Sequence, residues 1–317
     1  MSEDGRAEFF ESRKFSMGRC MEPRLECKKP GIRAHSIPNS RVFGLLHQSG
    51  KVLMMEGRIV KDRPQVTLRL SGRNEASTFA GFCSEHDAEI FREIDVNELD
   101  KTKPLHLCLI DFRAVTREVY VVWENAIRTQ KLYVKRVEQG RDTADVTSPL
   151  GMHATSEMMR SYAMYRYRHD FSVSLVNKNY DLIEHDTFEI QHEYPTIAVS
   201  ACFSIERIVS DQFTGVVLNI LPVDKSRSLV CFSYLKKDAN KARLKLSNIL
   251  STEGNVRLLN LSRLIIAHTE NFALNPRFVK TWSAVKKLAV ERAFRETLMG
   301  DARIGSNPRY MLFHNSN

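Results

Sequence analysis

Two pairs of soft metal-ligating side chains constrain this chain more than anything else in it. Cys20 and Cys27 flank the stretch CMEPRLEC, and Cys83 and His86 form a C-x-x-H pair within GFCSEHDAEIF. Three thiolates and an imidazole are the number and type of donors that tetrahedral zinc takes. The first pair precedes strand-like segments and the second stands at a helix start, so a metal shared between them would tie a loop to a helix across some sixty residues of chain. Taken alone, Cys83 and His86 also read as ordinary packing residues of a helix start. The remaining cysteines stand apart: Cys108, Cys202 and Cys231 lie in HLCLIDF, VSACFSI and LVCFSYL, where free cysteine packs as a small hydrophobe. Six cysteines in 317 residues do not make a disulfide framework.

Charge bounds the partners. The formal net charge of +9 favours polyanions such as nucleic acid or anionic lipid. Basic residues concentrate between Arg13 and Arg73, whereas residues 84–100 are acidic. A basic face beside carboxylates suits a phosphodiester and a divalent cation, and it equally suits a solvated surface. No apolar run approaches the length of a membrane span, and MSEDGRAEFFESRKF lacks the apolar core of a signal peptide, so a cytoplasmic protein without membrane association is expected.

The chain reads as α+β. Residues 1–19 form a polar lead-in, and CMEPRLECKKPGIRAHSIPNS is punctuated as a knuckle, a strand and a turn. Residues 41–72 fit a short helix followed by a hairpin, and GFCSEHD opens a helix toward Glu93. Residues 107–139 predict a long buried helix, although VTREVYVVW alone fits a strand. A second helix is predicted over residues 156–176 after the turn SPLG; its Tyr162, Tyr165 and Met158 suit helix packing or, less simply, a stacking face for nucleic acid. Residues 187–236 have the β-branched content of an antiparallel sheet. A short helix is predicted in DANKARLKLSNIL, RLLNLSRLIIAHTENFAL is left unassigned, and one final helix is predicted from Asn275-Pro276 through FVKTWSAVKKLAVERAFRETLM. His268 and Glu270 in IIAHTENF suit a second site or a structural hydrogen bond. The resulting organisation is a lead-in (1–19), a small metal-bound module with an inserted hairpin (20–100), and a larger helical and β-rich domain (101–317).

The layout of a ligand pair before a hairpin and a second pair at a helix start is that of a treble clef. Eight residues after Cys27 stands His35, in GIRAHSIPNS. That strand, followed by an Asn-containing loop and by FCSEHDAEIFREID, resembles the ββα-metal finger of HNH nucleases over residues 20–95. The combination of AHSIPNS, GFCSEHDAEIF, NILPV, CFSYLK and LIIAHTENF also looks like an uncharacterised bacterial family, placed near phage-defence genes. The HNH resemblance implies His35 as the general base and Asn74 as the residue that orients it or its loop. It implies Asp87, or His86 where that is not a zinc ligand, as a holder of catalytic Mg²⁺ or Mn²⁺. Cys20, Cys27, Cys83 and His86 would then carry structural zinc, and Arg33, Arg41 and Arg73 would engage phosphates. Two departures stand out: Ala34 occupies the position that often supplies a metal ligand, and 48 residues separate His35 from Cys83. The expected activity is metal-dependent endonuclease chemistry in bacterial anti-phage defence, with DNA favoured over RNA and a protein partner engaged through the C-terminal domain. The rival is a non-catalytic zinc module that binds nucleic acid or protein.

Overall fold

Between the two ligand pairs the chain makes two hairpin-like pairings, and they belong to different sheets. The computed structural model describes residues 16–60, 63–205, 213–298 and 304–314, so most of the predicted lead-in lies outside it. Strand β1 (Ile32–His35) pairs antiparallel with β4 (Thr78–Phe82), matching Ala34 to Phe79 and His35 to Thr78. Helix α1 (Ser84–Val96) follows directly. The pair is drawn so close at its open end that a Cβ on Gly31 would come within 2.0 Å of the Ala80 carbonyl oxygen, so only glycine fits there.

The inserted strands β2 (Lys51–Val60) and β3 (Arg63–Gly72) form the expected hairpin but do not stay with the small module. β2 pairs with β9 (Phe272–Leu274), which places the hairpin on the edge of a seven-stranded antiparallel sheet in the order β3-β2-β9-β6-β7-β8-β5. The other strands are β5 (Ile183–Gln191), β6 (Ile197–Ser204), β7 (Gly215–Pro222) and β8 (Arg227–Leu235). Residues 20–100 and 101–317 are therefore laced together rather than set side by side.

Helices cover both faces of this sheet. Helices α2 (Pro104–Glu138) and α3 (Pro149–Asn177) form a long antiparallel pair on one face, over Ala198, Cys202, Val217, Leu221 and Cys231. Helices α4 (Gly254–His268) and α5 (Ala284–Leu298), with shorter turns, cover Val199, Ala201, Leu218, Val230 and Phe232 on the other. Burial on both faces explains why β6, β7 and β8 read as near-continuous apolar runs instead of alternating. The small module has no separate core: Met21, Phe82 and Phe91 belong to the same apolar cluster as Phe112 of α2 and Phe171 of α3. Under α2, buried Asp111 accepts from Asn219 at 3.0 Å and pairs with His185 at 3.0 Å, which sets the rotation of that helix over the sheet.

The helix predicted over residues 107–139 is present as α2, with VTREVYVVW inside it. Other expectations are corrected or completed. SPLG is not a turn before α3 but its start, with the Ser148 hydroxyl accepting from the Gly151 N–H and Pro149 at the first helical position. RLLNLSRLIIAHTENFAL divides into α4 and β9. The single final helix is broken in two, a turn at Pro276–Val279 capped by Asn275 and then α5, because Ser283 restarts the helix by accepting from Lys286. DANKARLKLSNIL likewise splits into Ala239–Lys245 and Ser247–Leu250. Tyr162 and Met158 do not pack inside but stand exposed, whereas Tyr165 stacks on Trp123 with ring centroids 5.6 Å apart. Among the described residues, no helix is long and apolar enough to cross a membrane.

Candidate metal centre

Cys20, Cys27, Cys83 and His86 converge, with their ligand atoms all within 4.8 Å of one another. Cys20 Sγ and Cys83 Sγ lie 3.4 and 3.3 Å from His86 Nδ1. In a tetrahedron with Zn–S bonds of about 2.3 Å and a Zn–N bond of about 2.0 Å, sulfur and nitrogen stand about 3.5 Å apart. The donor set and its spacing thus fit zinc, with Nδ1 as the imidazole donor. Cys20 and Cys83 are buried, and Cys27 and His86 are half-buried.

Local structure builds this cluster from both sides. In the knuckle, the Glu22 carboxylate accepts from the backbone N–H of Arg24, Glu26 and Cys27 at 2.7, 2.5 and 3.2 Å, folding the loop back toward Cys20. These bonds outweigh desolvation and hold the Glu22 carboxyl below the usual carboxylate range. Met21 N–H donates to the Gly81 carbonyl at 2.7 Å, which splices the knuckle onto β4. From α3, buried Arg168 donates to the carbonyls of Met21 and Glu22 at 2.5 and 3.0 Å. Cys83 is the N-cap residue of α1, so its sulfur sits at a helix N-terminus. Desolvation opposes ionisation of that thiol, but the backbone N–H of His86 and hydrogen bonds from Cys20, His86 and Cys27 bring it down to about 7. Burial pushes the Cys20 thiol up to about 12.

Of the predicted catalytic residues only Asp87 adjoins this centre in the chain; His35 lies at the other end of the β1–β4 pair, opposite Thr78, whereas Phe82 leads into Cys83. His35 ends β1, and its Nε2 lies 3.1 Å from the Arg73 carbonyl oxygen. Asn74, next along that loop, accepts from the Asn39 amide at 2.9 Å. Phe43 meets the His35 ring edge to face, at 6.4 Å between centroids. Asp87 follows His86 on α1; its Oδ1 is buried without a hydrogen-bond partner. Desolvation raises the Asp87 carboxyl, Arg113 and His35 pull it down, and Asp95 pushes it up.

The three arginines part company. Arg33 is exposed on β1, and Arg73 is half-buried beside His35. Arg41 donates to the carbonyls of Asp95 and Val96 at the C-terminal end of α1, so its donors serve that helix end. Sequence reasoning passed over Glu22, Arg168 and Asn39. Asn39 stands in the quoted AHSIPNS and was within reach, whereas nothing local marks Arg168, which lies 147 positions from Met21. Comparison with family models, with curated proteins and with solved structures found no match for this chain.

Proposed function

We propose that residues 20–96 form a zinc-ordered treble-clef module of HNH type that hydrolyses nucleic-acid phosphodiesters, with His35 as general base. The observation that carries this reading is the contact between His35 Nε2 and the Arg73 carbonyl oxygen at 3.1 Å. A carbonyl oxygen only accepts, so neutral His35 carries its hydrogen on Nε2 and keeps the Nδ1 lone pair for a proton. Nδ1 takes a proton from water as the water oxygen bonds to phosphorus and the ester P–O bond breaks. Asn74 is a positioning residue, since its bond to Asn39 holds the loop whose carbonyl orients His35.

Asp87, with one carboxylate oxygen buried and unpartnered, fits a divalent ion such as Mg²⁺ or Mn²⁺. Such an ion, when bound, supplies charge neutralisation at the phosphodiester. Arg33 and Arg73 suit phosphate contacts with DNA, or with RNA as the second choice. The remainder of the chain would sense or bind a partner, and phage defence in bacteria is the setting that the resemblance suggests. Ala34 favours a second reading, a zinc module that binds without cutting, because it leaves the cation one protein ligand short.

Plasmid DNA and RNA incubated with the protein in Mg²⁺ or Mn²⁺ separate the two. Nicking lost in His35→Ala and reduced in Asn74→Ala is the expected result. Nicking that survives His35→Ala removes His35 as the base, and binding without cleavage leaves the second reading.

A further inference from the structure

Ser77 takes a left-handed backbone conformation, with φ at 57°, in the loop between β3 and β4 that carries Arg73 and Asn74. Such a conformation is costly for a residue with a Cβ and persists only where its surroundings over-determine it. Here they do. The Ser77 carbonyl accepts from the Ser36 N–H at 3.0 Å and from the Ser36 hydroxyl at 2.9 Å, while the Ser77 hydroxyl accepts from the Ile37 N–H at 3.2 Å. Both serines are buried, and Ser36 directly follows His35. The same loop presents the Arg73 carbonyl to His35 Nε2.

Ser36 is itself held from the far end of the chain. Asn271 lies 235 positions away, buried, one residue before β9. Its side-chain amide donates to the Ser36 hydroxyl at 2.8 Å and to the Ser200 carbonyl at 2.6 Å, and its own carbonyl accepts from the Ser200 N–H at 3.2 Å. The donors run one way. The Ser200 carbonyl only accepts, so the amide nitrogen of Asn271 faces it; the Ser36 hydroxyl gives its single hydrogen to the Ser77 carbonyl and so accepts from Asn271. Asn271, Ser36 and Ser77 thus form one buried chain of bonds that begins on β6 and ends in the loop beside His35.

We propose that Asn271 is a positioning residue for His35, contributed by the large domain to the small module. By holding Ser36, and through it the left-handed turn at Ser77, Asn271 fixes the loop whose Arg73 carbonyl keeps the His35 hydrogen on Nε2. This role rests on the nuclease reading, in which His35 is the base, only for its catalytic consequence; the orientation of the ring is a physical property in its own right. Residues 20–96 are then not a self-sufficient site. The His35 end of β1 is completed by the segment that also ties the inserted hairpin to the large sheet, since β9 lies between β2 and β6.

Nitrogen NMR of the His35 imidazole in the full chain, at a pH where the ring is neutral, reads the tautomer directly. In Asn271→Ala and in Ser36→Ala the ratio of Nε2–H to Nδ1–H is expected to fall about twofold to tenfold, the equivalent of one net hydrogen bond. The double variant is expected to fall no further than the larger single effect, because both substitutions cut the same chain of bonds. Phe272→Leu disturbs the neighbouring buried residue without touching Ser36 and is expected to leave the ratio unchanged. Ser36→Ala removes a single oxygen, so it keeps the test decisive should Asn271→Ala fail to fold. An unchanged ratio in the folded variants overturns the proposal, as does an equal fall in Phe272→Leu or a fully additive double variant. None of these readouts requires turnover, so failure of the nuclease reading would show separately, as wild-type protein that leaves plasmid DNA and RNA intact.

Discussion

Replacing Cys83 by Ser removes one of four donors from a cluster whose sulfur–nitrogen distances of 3.3 and 3.4 Å match a zinc tetrahedron. A structural zinc site contributes about 10–16 kcal/mol of apparent binding free energy, so an equal quarter share is about 2.5–4 kcal/mol. The rest of the architecture limits the damage. α1 remains anchored by Phe91 and Ile94 in the core and by Arg113, which grips Asp95 in two bonds of 2.9 and 2.7 Å and lies 3.9 Å from the Phe91 ring centroid. The knuckle keeps its Glu22 turn and its bonds to Arg168. Loss should therefore stay local. Elemental analysis is expected to give one zinc per chain in the wild type and much less in Cys83→Ser. Hydrogen exchange should accelerate at residues 18–31 and 83–87, while the seven-stranded sheet keeps its protection. The expected fall in melting temperature is about 5–16 °C, given about 2–4 °C per kcal/mol for a large domain. Wild-type protein prepared without chelators and found free of zinc would refute the reasoning outright. A uniform rise in exchange across the sheet would refute the claim that the effect is local.

Two further substitutions probe the scaffold. Arg168→Met strips the buried carbonyls of Met21 and Glu22 of a donor at about 1–3 kcal/mol each, partly offset by no longer burying a guanidinium. A net loss of about 2–4 kcal/mol in urea denaturation is expected, and stability equal to wild type would count against this bond as the anchor of the knuckle. In the turn between β7 and β8, Asp224 accepts from Ser226 N–H and hydroxyl and from Arg227 N–H and Nε, which hold its carboxyl well below the usual range. A depressed pKa stabilises the fold above the unfolded value, about 3.9, and that contribution is lost as pH falls through the folded one. Asp224→Asn should therefore lower the melting temperature at pH 7 and lose that effect progressively below pH 4; an effect independent of pH would contradict the assignment.

The local grammar of the chain carried much of this. Donor chemistry alone picked out Cys20, Cys27, Cys83 and His86, because thiolates and imidazoles in pairs are rare and their spacing survives any fold that brings a loop to a helix start. Apolar residues recurring without Pro or Gly located α2, and β-branched and aromatic content located the strands β5 to β8, since both are properties of consecutive residues. The boundaries at Pro149 and Ser283 slipped because SPLG and WSA carry cap signals that also suit turns.

Residue chemistry and local pattern alone thus specified the candidate ligand set, the α+β character and the place of His35 ahead of an asparagine-bearing loop. Long-range contacts, by contrast, bring the inserted hairpin to the large sheet through β9, turn Arg41 to a helix end, and let Arg168 and the Ser36-bonded Asn271 hold the module from afar. The physical reason is the same in each case. Backbone pairing and hydrogen bonds between residues fifty or more positions apart leave no periodic trace, because their partners are chosen by packing and by the need to satisfy polar groups.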